Sequence, residues 1–325
     1  MSIHDEFDFI KKIQPSMLHS KDVVGIGDDA AIVGVNPNFE QVICVDTMVE
    51  DVHFLSHTMA PYDIGFKALA SNISDLAAMG AIPKYYLVSI SIPVHWKESD
   101  LIDIYKGMQH IGNEFFMDLI GGDTTATNSK LVLSVTVIGH IEKGKRLLRS
   151  NARPKDIIFV SGTVGDSAGG LQILLNRENN KEKEYLIRRH QQPSPRVKLG
   201  RILSKYSRVA LNDVSDGLAS ELKEIATASK ANMIIDKKHI PISNELLSYS
   251  NTQAITLALT GGEDFELVGT ISIDEWDKLK SECNAENIEI CKIGTVELGD
   301  GKVFIKEDNE IQEIANSGYN HFNNG

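Results

Sequence analysis

Negative charge recurs in this chain at one kind of place, where an apolar stretch ends beside glycine or a small hydroxyl residue. Asp28 and Asp29 follow a Gly-x-Gly turn in "GIGDDAAIV", Asp46 closes "VICVDT", Asp123 sits in "LIGGDTT", and Asp213 and Asp216 share "ALNDVSDGL". One aspartate in such a setting is ordinary, because its side chain bonds nearby backbone N–H groups at turns and helix starts. Asp216, just ahead of a helix predicted from residue 217, fits that description. Capping accounts for one aspartate per element. It does not account for DD, DxxD and GGD together. Asp75 adds a different setting: in "KALASNISDLAAMG", Lys67, Ser71 and Asp75 are four apart and form one polar stripe along a helix of small apolar residues.

Crowded carboxylates repel; at an effective dielectric near 20, two like charges about 4 Å apart cost roughly 4 kcal/mol. A pocket gathering several of them is tolerable only with bound cations. Hard divalent cations take oxygen ligands, and Mg2+ is usually held by a few carboxylates together with substrate phosphates. The expectation is a fold in which the scattered acids converge on divalent metal, with a polyphosphate beyond it. The formal net charge of −12 removes the basic face that a nucleic-acid binder needs, and leaves metal ions or local Arg and Lys to hold phosphate.

A length of 325 residues exceeds one comfortable core and predicts two domains. No apolar run reaches the roughly 18 residues of a membrane span, and the acidic, amphipathic start "MSIHDEFDFIKKI" is unlike a signal peptide. Three cysteines, Cys44, Cys283 and Cys291, form no CxxC pair, which points away from disulfides and structural zinc and toward a reducing cytoplasm. Strands are predicted at 41–49, 84–94, 118–123 and 130–141, with helices over 61–81 and 98–115. The charged, Pro-containing passage 142–156 holds the boundary, giving domains 1–145 and 146–325. Beyond it come a strand at "DIIFVSG", a helix near 167–175, a solvated connection over 176–196, a helix at 195–205, a strand at 208–216 and a helix at 217–229. The stretches "ANMIID", "ITLALTGGEDFELVGTI", "IDEWDKLKSEC" and "IEICKIGTVE" then alternate strands and helices, for a mixed α/β (α+β) chain.

Several motifs fall short on their own chemistry. "GHIEKGKR" (139–146) approaches a P-loop, but Arg146 stands where the Mg2+-binding hydroxyl belongs. "GDSAG" (165–169) matches a nucleophile elbow and offers a serine hydrolase using Ser167, with His190, His239 or His321; yet "SGTV" separates the strand from Gly165, and no HGGG-type stretch precedes it. "HFLSH" (53–57) spaces two histidines without the glutamate of a zinc protease, so His57 reads as a surface residue while His53 could reach a substrate. "TGGEDFELV" (260–268) places Glu263 and Asp264 after a Gly-Gly turn, either as solvated turn acids or with Glu263 pairing a cationic substrate. Arg149 and Arg153 are natural phosphate clamps, and Arg188 and Arg189 read as a solvated face.

Taken in order, "GIGDDAAIV", "VDTMVEDVHF", "KALASNISDLAAMGAIP", "LIGGDTT", "RSNARPKD", "GDSAGGL", "LIRRHQQPSPR", "DVSDGL", "GGEDFEL" and "GYNHF" resemble the thiamine-monophosphate kinase family, from about residue 5 to 322. That family lies in the superfamily of aminoimidazole ribonucleotide synthetase and selenophosphate synthetase. The resemblance implies an N-terminal α/β domain whose strands join across a homodimer into a barrel, and a C-terminal α/β domain. It implies ATP-dependent phosphorylation of thiamine monophosphate to thiamine diphosphate, with several Mg2+ ions and no protein nucleophile. Carried over by motif, Asp28, Asp46, Asp75, Asp123, Asp213 and Asp216 would be metal ligands; Tyr105, Gly122, Asp123, Arg149 and Ser215 would contact ATP; His53, Glu263 and Tyr319 would face the thiamine phosphate. Cys44 and Val45 replace Ser or Thr residues that often precede the Asp46 position, so a hydroxyl is missing there. Another synthetase of the superfamily is the enzyme alternative, but selenophosphate synthetase relies on a reactive cysteine near its N-terminus, and the first one here, Cys44, lies inside a strand.

Overall fold

The computed structural model describes residues 6–20, 23–24, 32–178 and 183–314. Asp28, Asp29 and Tyr319 lie outside the described residues. The chain divides into two compact units, Met1–Leu76 with Ile82–Lys143, and Ala77–Ala81 with Gly144–Gly325.

The first unit runs α1 (Glu6–Ile13), β1 (Val23–Val24), β2 (Ile32–Val33), β3 (Phe39–Val49), α2 (Pro61–Ala78), β4 (Ile82–Pro93), α3 (Glu98–Glu114), β5 (Asp118–Thr127) and β6 (Val132–Glu142). Its main sheet has the order β3-β6-β4-β5, antiparallel except for the parallel β4–β5 pair. Leu133, Val135, Val137, Gly139 and Ile141 of β6 are buried while each residue between them is partly open, the period-two signature of a sheet covered on one face. Helices α2 and α3 cross so closely that a Cβ on Gly107 would stand 1.9 Å from the Tyr62 carbonyl oxygen, and one on Gly65 would stand 1.8 Å from that of Ile104. On the other face, Ile43 and Val45 of β3 remain 60% and 58% exposed. Two apolar side chains open on an edge strand are unusual in a sheet with nothing on that face.

The second unit contains β7 (Ile157–Ser161), α4 (Asp166–Leu175), α5 (Glu184–Gln191), α6 (Val197–Leu203), β8 (Val209–Asp213), α7 (Leu218–Ser229), β9 (Ala231–Asp236), α8 (Asn244–Ser250), α9 (Ala254–Thr260), β10 (Leu267–Ile271), α10 (Ile273–Ala285), β11 (Ile290–Leu298), β12 (Val303–Glu307) and β13 (Glu310–Glu313). Seven strands form one sheet in the order β13-β12-β9-β11-β7-β10-β8. Strands β7, β8 and β10 are buried at every residue, which requires cover on both faces. Leu218, Leu222, Ile225 and Ala226 of α7 join Ile158, Val160, Ala210 and Val268 in one core; on the opposite face Trp276 of α10 stacks tilted on Phe159, ring centroids 6.2 Å apart.

Two stretches differ from their sequence reading. Residues 254–260, read there only as part of one longer segment running on to 271, form helix α9, separate from strand β10; a short run of Ala, Leu and Ile suits either period, and packing decides. The supposed solvated connection contains α5, whose Leu186 and Ile187 join Ile173, Leu174, Leu246 and Ala254 in a second small core.

Candidate active site

In the first unit, the alternation of β3 turns Cys44, Asp46 and Met48 away from the open face. As an edge strand, β3 has backbone donors without a strand partner, and the buried Asn72 of α2 supplies one: its Oδ1 accepts the Asp46 N–H at 3.1 Å while its Nδ2 donates to the Ala68 carbonyl at 2.9 Å. The Cys44 thiol donates to the Asn72 carbonyl at 3.6 Å. Burial raises the Asp46 carboxyl above its ordinary value, opposed by a hydrogen bond from Ser71 and by the neighbouring His53. A hydroxyl, that of Ser71, thus reaches Asp46 from the helix. Asp75 follows Ser71 by one turn on the same half-buried face of α2, and Lys67 precedes it, fully buried. His53 is fixed by the Val49 N–H, which donates to its Nδ1 at 3.0 Å. Asp46, Ser71 and His53 therefore meet.

Asp123 projects exposed from β5, opposite Ser89 of β4. Gly122 precedes it because a Cβ there would lie 2.0 Å from the Val88 carbonyl oxygen. Tyr105 is a core residue, 3% exposed, with its ring edge-on to Phe9 at 5.9 Å, and burial pushes its phenol up. This placement offers the nucleotide no open tyrosine ring.

In the second unit, the loop after β8 and the loop before β10 are bonded together. Glu263 N–H donates to the Ser215 carbonyl (2.7 Å), Phe265 N–H to that of Val214 (2.9 Å), and Val214 N–H to that of Glu266 (2.7 Å). Ser215 and Asp216, assigned to ATP and metal, thereby stand beside Glu263, assigned to substrate. Glu263 and Phe265 both have positive φ, 67° and 51°, so successive side chains of "GGEDFE" point in sharply different directions. Glu263 stays partly open; Asp264 and Glu266 are fully buried.

Those two buried acids do separate work. Asp264 caps α4, with Oδ2 accepting from Gly165 N–H at 2.5 Å and Oδ1 from Ser167 N–H at 3.0 Å; burial pushes its carboxyl up to about 7 against the pull of these donors and of Arg189. Glu266 accepts from Arg189 Nη2 (2.9 Å), Arg196 Nε (2.7 Å) and Nη2, and Ser161 Oγ (2.6 Å). Arg189, read from sequence as solvated, is 11% exposed at its side chain and ion-paired to Glu266. Arg188 is exposed, as is Arg153.

The geometry removes the serine hydrolase. Ser167 Oγ lies 3.1 Å from His190 Nδ1, and Glu263 Oε2 lies 3.5 Å from that same nitrogen, so the ring does not bridge hydroxyl and carboxylate through opposite nitrogens. Ser167 is fully buried, and the Gly165 and Ser167 N–H groups, which could otherwise polarise a carbonyl, are occupied by Asp264.

A residue missed in the sequence, Glu221 of α7, anchors the "DVSD" loop. Its Oε1 accepts from Ser215 Oγ (3.2 Å) and Asp216 N–H (2.9 Å), its Oε2 from Asn212 Nδ2, and burial followed by the Asp213 charge pushes its carboxyl up to about 8. Arg149 donates from Nε to Asn212 Oδ1 at 3.0 Å and pairs through Nη1 with Glu224 at 2.6 Å. In the sequence Glu221 looks like any acid in a first helical turn, where the helix dipole favours it. Among the described residues no group of three or more His, Cys, Asp or Glu side chains stands ready as a metal cage.

Comparison with known proteins places these features in a family. Models for AIR synthase related protein match at residues 27–141 (N-terminal domain) and 153–306 (C-terminal domain). Thiamine-monophosphate kinase of Bacillus subtilis (strain 168) is 52% identical, with 98% of this chain and 99% of that protein covered. The crystal structure of thiamine-monophosphate kinase from Stenotrophomonas maltophilia K279a is 36% identical with a TM-score of 0.85, covering 94% of this chain and 98% of that one. A structure of AaThiL complexed with AMPPCP and TMP is 32% identical with a TM-score of 0.76, covering 95% and 96%. Similarity that is both full-length and this high makes the chain a member of the thiamine-monophosphate kinase family, built on the two-domain fold of the AIR synthase related proteins.

Proposed function

We propose that this chain transfers the γ-phosphate of ATP to thiamine monophosphate, forming thiamine diphosphate. The observation that carries the reading is the 52% identity to a thiamine-monophosphate kinase across 98% of the chain. The joining of the Ser215–Asp216 and Glu263 loops supports it, because it sets a nucleotide-binding element beside a carboxylate suited to a thiazolium cation. The acceptor is already an anionic phosphate, so an in-line displacement needs positioning and charge neutralisation rather than a nucleophile or a strong base. Arg149 and Ser215 hold the phosphates, Glu263 and His53 orient the thiamine phosphate, and Gly122 lets the backbone beside Asp123 approach the nucleotide. Tyr105 would reach ATP only if Phe9 moved off it.

Asp46, Asp75, Asp123, Asp213 and Asp216 would hold Mg2+, with Asp28 as a further candidate. The donor set is all oxygen, which suits that ion; with no ready cage among the described residues, coordination would be shared with the phosphates. Bound there, Mg2+ would neutralise charge developing on the transferred phosphoryl group. A homodimer closing over the open β3 face would bury Ile43 and Val45, and that exposure supports it. No described helix is long and apolar enough to cross a membrane.

The test is a coupled assay for thiamine diphosphate from ATP, Mg2+ and thiamine monophosphate. Product should form, and Asp216→Asn should abolish it. Absence of product under saturating substrates would overturn the proposal.

A further inference from the structure

We propose that Glu221 and Asn212 form a hydrogen-bond relay that sets the metal-binding loop and the phosphate-binding arginine in one fixed register. The inference rests on reading Asp213, Ser215, Asp216 and Arg149 as nucleotide-binding residues; what it adds is the device that positions them together.

The polarity of the relay is fixed by chemistry. Arg149 can only donate, so Asn212 must present Oδ1 to its Nε, at 3.0 Å. Asn212 then presents Nδ2 to Glu221 and, at 3.2 Å, to Glu224, so that Asn212 Nδ2 and the Asp216 N–H, neither of which can accept, face the two oxygens of Glu221. Glu221 then uses its other oxygen on Ser215 Oγ and the Asp216 N–H. Each link forbids the reverse orientation of the next. A rotation of the Asn212 amide would face donors to Arg149 and an acceptor to two carboxylates at once.

Both central residues are buried, Glu221 at 3% and Asn212 at 2% exposure, so water cannot substitute for a lost partner. Asn212 is held further by β8, where its backbone pairs with Val268 of β10. The relay therefore runs from the buried edge strand of the sheet to the tips of two functional groups. Glu221 touches no reacting atom in this scheme; it is a positioning residue.

Glu221→Gln is nearly isosteric and breaks the polarity. Its amide nitrogen must face either the Asn212 donor or the donors of Ser215 and Asp216. In Glu221→Gln/Asn212→Asp/Glu224→Gln the pattern returns with the charge moved by one residue; Glu224→Gln is included because the new carboxylate would otherwise face Glu224, which accepts from Asn212 Nδ2 at 3.2 Å. The new amide at position 221 donates to the new carboxylate at position 212, which still accepts from Arg149. A role limited to fold stability predicts no such rescue.

The experiment is calorimetric binding of AMPPCP with Mg2+ to the full chain, alongside kinetics and melting followed by fluorescence. E221Q should weaken nucleotide binding about tenfold or more, as loss of supporting partners commonly does, lower kcat, leave KM for thiamine monophosphate unchanged and remain folded at the assay temperature. The triple variant E221Q/N212D/E224Q should regain part of the binding. Wild-type affinity in E221Q, while R149A and D216N bind weakly, would overturn the relay alone. Weak binding in E221Q without recovery in the triple variant would also overturn it. Wild-type binding in R149A and D216N would overturn the underlying site assignment, and the relay with it.

Discussion

Replacing Glu266 by glutamine tests whether the buried ion network holds the second unit together. The carboxylate is fully buried and accepts from two guanidinium groups and the Ser161 hydroxyl, all at 2.9 Å or less. Glutamine keeps the volume and one acceptor oxygen, but its amide nitrogen meets donors of Arg189 or Arg196, and the largely buried Arg189 and half-buried Arg196 lose a counter-charge. Breaking one partner of a buried pair in this way costs about 3 to 5 kcal/mol. The assay is urea unfolding read by Trp276 fluorescence in a Trp96→Phe background, since Trp276 belongs to the second unit and Trp96 to the first. With a slope of about 2 kcal/mol per molar urea, the midpoint should fall by about 1.5 to 2.5 M. Combined with Arg196→Gln, the cycle should return a coupling above about 1 kcal/mol, because the residues share hydrogen bonds. A midpoint shift below about 0.5 M would show that solvent or rearrangement replaces the network, and would refute the argument.

Gly107→Ala should destabilise the first unit by about 3 kcal/mol, since the new methyl would sit 1.9 Å from the Tyr62 carbonyl; Trp96 fluorescence should report an earlier melt while Trp276 does not move. Asp264 gives a pH signature. Its folded carboxyl is pushed up to about 7 from 3.8, so between those values the native state binds more protons than the unfolded chain. Its contribution to the stability of the second unit should then be fully present below about pH 4 and fall by at most about 4 kcal/mol as pH rises to 7. Asp264→Asn should flatten that slope, and an unchanged slope would count against the assignment. Ile43→Lys with Val45→Lys should halve the mass measured by light scattering, whereas an unaltered mass would remove the open β3 face from the dimer contact.

How much was legible before the fold was known depended on how local the determinant was. The helix over 61–78 and the strands around Asp46 and Asp123 follow from periodicity within a few residues, and the structure has them nearly where the pattern puts them. The tie between Asp46 and Ser71 was half visible, because Lys67, Ser71 and Asp75 already share one helical face. Glu221 was not visible at all. Its spacing matches that of any first-turn acid, and what distinguishes it is Asn212 on the neighbouring strand.

By itself the sequence determined most element types, the run of aspartates at strand ends and the family. Only the tertiary structure decided which charges are buried and what they meet. Arg189 and Glu266 are 77 residues apart, and nothing in the composition of either segment marks them as partners. The three acids of "GGEDFE" are equivalent on paper, yet positive φ at Glu263 and Phe265 leaves the first partly open and sends the others inward. Hydrophobic periodicity is a property of neighbouring residues, whereas desolvation and ion pairing depend on whichever segments the packed core brings together.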